Sequence, residues 1–154
     1  MAIAQTTFNS LSHMWSDHRL SANLKIRLYI AGVCSAFTHG CEAWSLTDSI
    51  RKSINGFNSR CLSTITGKDF RETATHPDFN IISAIMRRRL RFVGHILRMD
   101  PQRLLRRTFI ALISSSPRPS GSLLHGLDSM TLDEIISLAN NRRDWSRQIN
   151  SLCI

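Results

Sequence analysis

The stretch from residue 81 to residue 99, IISAIMRRRLRFVGHILRM, separates into an apolar side and a basic side when read at helical spacing. The apolar side comprises Ile82, Ile85, Met86, Leu90, Phe92, Val93, Ile96 and Leu97. The opposite arc contains Arg87, Arg88, Arg91, Gly94, His95 and Arg98, while Arg89 projects from the apolar side. Pro77 suits the first turn of a helix. The pattern therefore predicts a helix over residues 77–99 that buries one side and exposes a basic ridge.

The basic ridge has the chemistry of a phosphate-binding surface. Guanidinium groups keep their charge and bind phosphate oxygens through paired hydrogen bonds. We predict nucleic-acid backbone contacts from Arg87, Arg88, Arg91, His95 and Arg98, with a contribution from Arg60 and an extension of the patch by Arg103, Arg106 and Arg107. The same pattern also fits a basic side that is only solvated. Gly94 lets either a neighbouring helix or a sugar-phosphate backbone approach closely.

The positive charge is concentrated in the middle of the chain. The 154 residues have a net charge of +9, and residues 51–110 contain thirteen basic and four acidic side chains. The flanking regions are balanced, with three of each sign before residue 51 and four of each after residue 110. Seventeen of the twenty basic residues are arginine, which favours phosphate recognition. The composition therefore indicates a polyanionic partner, RNA or DNA.

Helical periodicity extends over the rest of the chain, and no segment alternates convincingly at the period of a strand. Ser21 is the predicted N-cap of a central helix that is apolar nearly all round, is therefore expected to be the most buried helix, and ends before Gly40, a C′ glycine. An apolar stripe over residues 50–65 predicts the next helix, which Gly67 ends. Trp44 lies in the non-helical corner between the two helices. The sequence therefore predicts an all-α fold.

Composition divides this helical chain into three predicted segments. Residues 1–113 are predicted to form a helical bundle that includes the basic helix. Its last helix has Asp100 as N-cap and a buried side formed by Leu104, Leu105, Phe109, Leu112 and Ile113. Residues 114–130 begin with SSSPRPSGS and have the composition of a linker. The TLDE motif at residues 131–134 is a capping box that opens a smaller helical segment, 131–154.

The residues that catalysis requires are not grouped in the sequence. A polymerase or nuclease site needs two or three carboxylates around Mg²⁺, and no Asp-Asp pair occurs. The spacing of a structural zinc site is not met by Cys34, His39, Cys41 and Cys61. A nucleophilic site would need His95 close to Asp100, or Cys61 close to a histidine, and nothing in the sequence indicates either arrangement. We therefore predict no catalytic residue, no metal and no cofactor in this chain.

Short motifs follow one another in a fixed order along the chain. They are KIRLY at residues 25–29, HGCEAW at 39–44, FNSRCL at 57–62 with Gly67, and RRLRFVGHILRM at 88–99. Together they resemble the region downstream of the polymerase core in non-LTR (LINE-type) retrotransposon reverse transcriptases. The last motif is similar to the family's RRLRWxGHxxRM signature, with Phe92 in the Trp position. Weaker landmarks are RP at 118–119 and ANNRRDW at 139–145; the resemblance covers residues 1–113 well and the remainder loosely.

The resemblance implies that the first helices are a thumb, which is helical, non-catalytic and packed on the template–primer duplex, and that the later helices are the C-terminal linker region. The parent enzyme would be an RNA-directed DNA polymerase. Its palm with paired aspartates and Mg²⁺, its fingers and its endonuclease have no counterpart in these motifs. The chain is therefore expected to be a fragment of that enzyme or a degenerate genomic copy. Its expected partners are the template–primer backbone and the palm and fingers of the parent polymerase.

Two other function classes fit the same pattern. A free-standing helical DNA- or RNA-binding module, such as a helix-turn-helix, would bind selected sequences as a stable monomer. A protein-interaction domain with a solvated basic side would not bind duplex at physiological salt. The four cysteines form no CxxC pair, and the sequence has neither a signal-peptide pattern nor an apolar run of membrane-spanning length. We therefore expect an intracellular protein, in the nucleus or cytoplasm, without a membrane partner.

Overall fold

A computed structural model of the chain describes residues 2–68, 80–114, 123, 124 and 126–153. The described residues form helices and contain no strand, which confirms the predicted all-α class. The helices are α1 (Ala2–Ser10), α2 (Ser12–Ser16), α3 (Ala22–Tyr29), α4 (Ser35–Thr38), α5 (Asp48–Thr66), α6 (Ile81–Leu97), α7 (Leu104–Ser114), α8 (Leu132–Asn140) and α9 (Arg142–Leu152). A π-helical segment, Ile30–Cys34, joins α3 to α4, and the 3-10 turn Cys41–Ala43 follows α4.

Contacts between residues group the chain into two compact units. Unit 1 comprises Met1–Cys41 and Asp48–Ile82, and unit 2 comprises Glu42–Thr47 and Ser83–Ile154. The division differs from the predicted segments, which separated 131–154 from a bundle ending at residue 113. The reason is that side chains of α8 and α9 share one apolar core with α6. Residues 115–122 and 125 of the predicted linker lie outside the described part of the chain.

Unit 1 is built around the aromatic side chain of Tyr29, which is completely buried. The ring of Phe8 stacks on Trp15 with centroids 5.2 Å apart and meets Tyr29 edge-on at 6.3 Å. The phenol of Tyr29 donates a hydrogen bond to Asn58 Oδ1 of α5 (2.9 Å). Lys25 is also buried, and its ammonium donates to the Trp15 carbonyl at the end of α2 (2.7 Å). Aromatic packing and satisfied polar groups therefore hold these helices together.

The central helix of unit 1 departs from the sequence prediction in two ways. It is interrupted by the π-helical segment Ile30–Cys34, whereas the apolar pattern predicted one uninterrupted helix. Its burial is also one-sided, because Leu24 and Ala31 are exposed while Tyr29 and Val33 are completely buried. A wider π turn shifts every later side chain around the helix axis, and this shift is not encoded in hydrophobic periodicity.

The helix ends follow local sequence signals. Ser21 Oγ accepts a hydrogen bond from the Leu24 backbone N–H (3.3 Å) and caps α3. Gly40 and Gly67 have φ values of +71° and +68°, the conformation of a C′ glycine after α4 and α5. Thr131 and Glu134 form the predicted capping box at the start of α8. The hydrogen bond from the Thr131 backbone N–H lowers the pKa of the Glu134 carboxyl.

Helix α6 begins later than predicted and supplies the core of unit 2. Residues 77–79 of the predicted helix lie outside the described residues, and Asn80 Oδ1 accepts from the Ile82 N–H at the observed start. The core is formed by side chains of α6 to α9, of the segment before α8 and of the residue after α9. These are Leu90, Val93, Ile96, Leu97, Phe109, Leu124, Leu127, Ile135, Ala139, Trp145, Ile149 and Cys153. Arg89 projects from the apolar side as predicted and is buried.

The prediction for α7 is wrong in its burial. Of the five apolar side chains expected to be buried, Phe109 is buried and Ile113 is half-buried, whereas Leu104 (74% exposed), Leu105 (47%) and Leu112 (61%) are exposed. The helix begins at Leu104 and not at Pro101, because Asp100 Oδ1 accepts from the Gln102 N–H in a preceding turn. Spacing identifies an apolar stripe, but a stripe is buried only where a neighbouring element covers it.

Candidate nucleic-acid interface

The predicted basic ridge of α6 divides into two sides in the structure. One, the inner side, consists of Arg87, Gly94 and Arg98, which fall within a narrow arc at helical spacing. The other, the outer side, consists of Arg88, Arg91 and His95 and lies directly beside that arc, with Arg91 about 20° from Arg98 around the helix axis. Helices α8 and α9, which form a helical hairpin within unit 2, contact the inner side.

At Gly94, α9 approaches α6 closely through the side chain of Trp145. A Cβ atom added to Gly94 would lie 2.7 Å from Trp145 Cδ1 and closer still to Trp145 Nε1. The indole N–H of Trp145 donates to the Leu90 carbonyl oxygen (3.1 Å), one helical turn before Gly94. The sequence left open whether a helix or a sugar-phosphate backbone approaches this glycine. In the structure a neighbouring helix does, through the buried indole of Trp145.

Arg87 and Arg98 bind the carboxyl-terminal ends of the hairpin helices. Arg87 Nη2 donates to the Cys153 carbonyl at the end of α9 (3.2 Å), and Arg98 Nη1 donates to the Ala139 carbonyl near the end of α8 (2.8 Å). A cation at a helix C-terminus satisfies an unpaired carbonyl and interacts favourably with the helix dipole. Arg98 directly follows α6, and its backbone N–H still donates to the Gly94 carbonyl (3.3 Å). The two arginines are eleven residues apart, about 16 Å along the axis and on one side. They therefore hold both ends of the hairpin.

Burial sets the electrostatics of Arg98. Its Nε atom is buried and has no hydrogen-bond acceptor among the described residues. Burial lowers the pKa of the Arg98 guanidinium, and the nearby positive charge of Arg142 lowers it further. Arg106 of α7, like Arg87 and Arg98, donates to a backbone carbonyl, since its Nη1 bonds the Met99 oxygen just after α6 (2.8 Å). Three arginines of the predicted patch therefore donate to backbone carbonyls within unit 2.

The outer side of α6 keeps its cations at the surface. Arg91 and His95 are exposed and lie one turn apart. Arg88 is 44% exposed at its side chain and forms an ion pair with Glu42, which is itself mostly buried (Nε to Oε1, 2.7 Å). Glu42 belongs to the segment Glu42–Thr47 of unit 2. The outer side therefore presents two guanidiniums and one imidazole in a row, and one of the guanidiniums already contacts a carboxylate.

The remaining predicted site residues lie elsewhere. Arg60 is exposed on α5 in unit 1. Trp44, predicted as a structural corner, is half-buried in the segment Glu42–Thr47. Of the arginines predicted to extend the patch along α7, Arg103 and Arg107 are exposed.

Sequence reasoning missed the arginines of α9. Arg142, Arg143 and Arg147 are exposed at its amino-terminal half. Asp144 Oδ1 forms an ion pair with Arg147 (3.0 Å). The run NNRRD at residues 140–144 was a signal for this cluster, because Asn141 is a good N-cap and the arginines follow it directly. Its proximity to Arg98 depends on the folded chain and has no signature in the sequence.

The cysteines considered for zinc or for nucleophilic chemistry are buried. In unit 1, burial raises the pKa of the Cys34 thiol to about 12 and that of Cys61 to about 11, and both hydrogen-bond with buried Tyr29. Such thiols are protonated at neutral pH and behave as small apolar side chains. No three His, Cys, Asp or Glu side chains in the described ranges come together in a way that could hold a metal ion.

Comparison with known proteins adds no relative. No protein-family model, no curated protein and no solved structure matches this chain. Within the described parts of the chain, no helix is both long enough and apolar enough to cross a membrane.

Proposed function

We propose that this chain is the non-catalytic thumb and linker part of a LINE-type reverse transcriptase and that it binds the template–primer backbone through the outer side of α6. The observation that carries the proposal is the exposed row Arg88, Arg91 and His95 on a helix whose apolar side is buried in the core of unit 2. A helix that is packed through its apolar side holds its exposed basic side chains in fixed register, which reduces the entropy lost when they bind. The ordered motifs described above support the assignment to this enzyme family.

The chemistry of this row favours backbone contact over the reading of base edges. Guanidinium binds phosphate regardless of sequence. Base stacking requires exposed aromatic rings among the cations, and Phe92, the aromatic residue within the basic run, is half-buried against the unit 2 core. We therefore propose binding with little sequence preference and a steep dependence on salt. Polymerisation itself would be carried out by the palm of the parent enzyme, with which the chain would associate.

The test measures binding of the full chain to a short fluorescein-labelled RNA–DNA duplex by anisotropy over a range of salt concentrations. Arg91→Gln is expected to weaken binding roughly threefold to tenfold and to reduce the salt slope by about one. Arg19→Gln is the matched control, because it removes the same charge from an exposed arginine of unit 1 that is paired with Asp17 (2.9 Å). Equal binding by the wild type and Arg91→Gln would contradict the proposed contact.

The family assignment has a separate test in the genomic DNA upstream of the Met1 codon. We expect that reading frame, intact or broken, to continue into a polymerase palm with paired aspartates. A frame that leads into unrelated coding sequence would overturn the assignment to a reverse transcriptase and leave backbone binding to be judged by the anisotropy experiment.

The exposed leucines of α7 favour a second candidate function, a protein-interaction domain. Leu104 and Leu105 are exposed next to Arg103 and Arg107, and this combination of apolar and basic side chains suits a protein surface that is apolar and acidic. Under this alternative the chain would not bind duplex at physiological salt. The same anisotropy measurement therefore separates the two candidates.

A further inference from the structure

The turn between α8 and α9 brings a guanidinium of α6 next to the first residue of α9. Arg98 Nη1 donates to the Ala139 carbonyl (2.8 Å), three residues before Arg142. Asn141 fixes the turn, since its side-chain oxygen accepts from the backbone N–H groups of Arg143 (3.1 Å) and Asp144 (3.4 Å). The side chain of Arg98 is therefore held through Nη1, and among the described residues its Nη2 has no hydrogen-bond acceptor.

The charges at this turn do not balance. The positive charge of Arg142 acts on Arg98 strongly enough to contribute to the lowered pKa of Arg98. Among the described residues no carboxylate forms an ion pair with Arg142, whereas Asp144 pairs with Arg147 on the same helix. Two neighbouring guanidiniums repel each other, and an anion bound between them would remove the repulsion and accept hydrogen bonds from both.

The turn binds Arg98, the residue of the inner side that lies nearest to Arg91 of the outer side. Arg91 and Arg98 are seven residues apart, so they lie close to the same side of the helix and about 10 Å apart along its axis. Arg142 follows the turn whose Ala139 carbonyl binds Arg98, and all three arginines belong to unit 2. A strand of duplex DNA carries one phosphate per about 3.4 Å of its axis, so the phosphates of one strand span the distance from Arg91 to Arg98.

We propose that Arg98 and Arg142 form a second phosphate-binding pair, so that a nucleic-acid backbone bound at Arg91 continues onto the turn between α8 and α9. This inference rests on the proposed function, because it extends the same surface. It assigns phosphate binding to Arg142, the first residue of α9. Arg98 then serves both as a cap on α8 and as a phosphate ligand, through different nitrogen atoms of one guanidinium.

The experiment compares Arg142→Gln with Arg147→Gln in the full chain, using the labelled RNA–DNA duplex and the salt series. Arg142→Gln is expected to weaken binding roughly threefold to tenfold and to lower the salt slope by about one. Arg147→Gln removes the same charge from the same helix and is expected to bind like the wild type. Removing a cation from the first turn of a helix does not destabilise it, so unchanged thermal unfolding by circular dichroism is expected for both.

The outcomes separate this inference from the proposed function. If Arg142→Gln binds like the wild type while Arg91→Gln binds more weakly, the second pair is wrong and the contact at α6 stands. If neither substitution weakens binding, both proposals fail. Equal losses from Arg142→Gln and Arg147→Gln would show that only net charge matters, and this result would also overturn the second pair.

Discussion

On the inner side of α6, Arg87 and Arg98 donate to carbonyl oxygens of the helical hairpin, whereas on the outer side Arg91 is exposed to solvent. The residue type is the same and the helix is the same. The two sides differ in what contacts them, because Trp145 of α9 packs against Gly94 on the inner side. Arginines of similar sequence context therefore have two structural roles, in which Arg87 and Arg98 bind carbonyls within unit 2 and Arg91 remains exposed.

The largest expected effect is the loss of the indole that joins the inner side to the hairpin. Trp145→Ala should destabilise unit 2 by about 3–5 kcal/mol, because it leaves a cavity against α6. Trp145→Phe keeps an aromatic ring but removes the hydrogen bond to Leu90, so a smaller loss is expected. Urea unfolding followed by circular dichroism measures both. A loss from Trp145→Ala of less than about 1 kcal/mol would contradict the packing described for Gly94.

Gly94 and Gly56 provide a matched pair of helical glycines. Gly94→Ala should destabilise the protein by about 1–3 kcal/mol, because the new methyl group overlaps Trp145. Gly56→Ala should stabilise it by about 0.5–1 kcal/mol, because alanine is the better helix former and the nearest atom, Arg60 Nη1, lies 3.6 Å away. Thermal unfolding gives the sign of each effect. Stabilisation by both substitutions would show that Trp145 of α9 does not pack against Gly94.

Arg98 and Arg91 test the two sides with one type of substitution. Arg98→Met keeps the apolar stem and removes the donor to Ala139, so it should destabilise the protein by about 1–2 kcal/mol. Arg91→Met should change stability by less than about 0.5 kcal/mol, since Arg91 is exposed, while weakening duplex binding. Urea unfolding and anisotropy measure the two properties. Equal stability losses would remove the distinction between an inner and an outer side.

The smallest expected effect concerns the carboxylate on the outer side. Glu42→Gln removes the charge that competes with phosphate for Arg88, and it should raise duplex affinity by up to about fivefold, the upper value for an ion pair at the protein surface. Asp17→Asn is the control, because it releases Arg19 from a similar ion pair in unit 1. Anisotropy at low salt measures both. Unchanged affinity in Glu42→Gln would exclude Arg88 from the contact.

Much of the fold follows from local sequence. The capping box at Thr131, the N-cap at Ser21 and the glycines after α4 and α5 involve residues within one turn of each other, so their patterns can be read directly. The position of Arg89 on the apolar side of α6 also followed from periodicity, whereas its burial is a finding of the structure. The exposure of Leu104 and Leu105 could not be predicted from the sequence, because periodicity identifies an apolar stripe without specifying which element covers it.

The sequence by itself determined that the chain is helical, where several helices begin and end, and that its positive charge is concentrated around α6. Only the tertiary structure decided which arginines are used inside the protein. Arg91 and Arg98 occupy equivalent positions one heptad apart, yet one is exposed and the other binds a carbonyl forty-one residues away. Helix formation depends on neighbours a few residues apart, whereas the role of a surface cation depends on whichever segment folds against it.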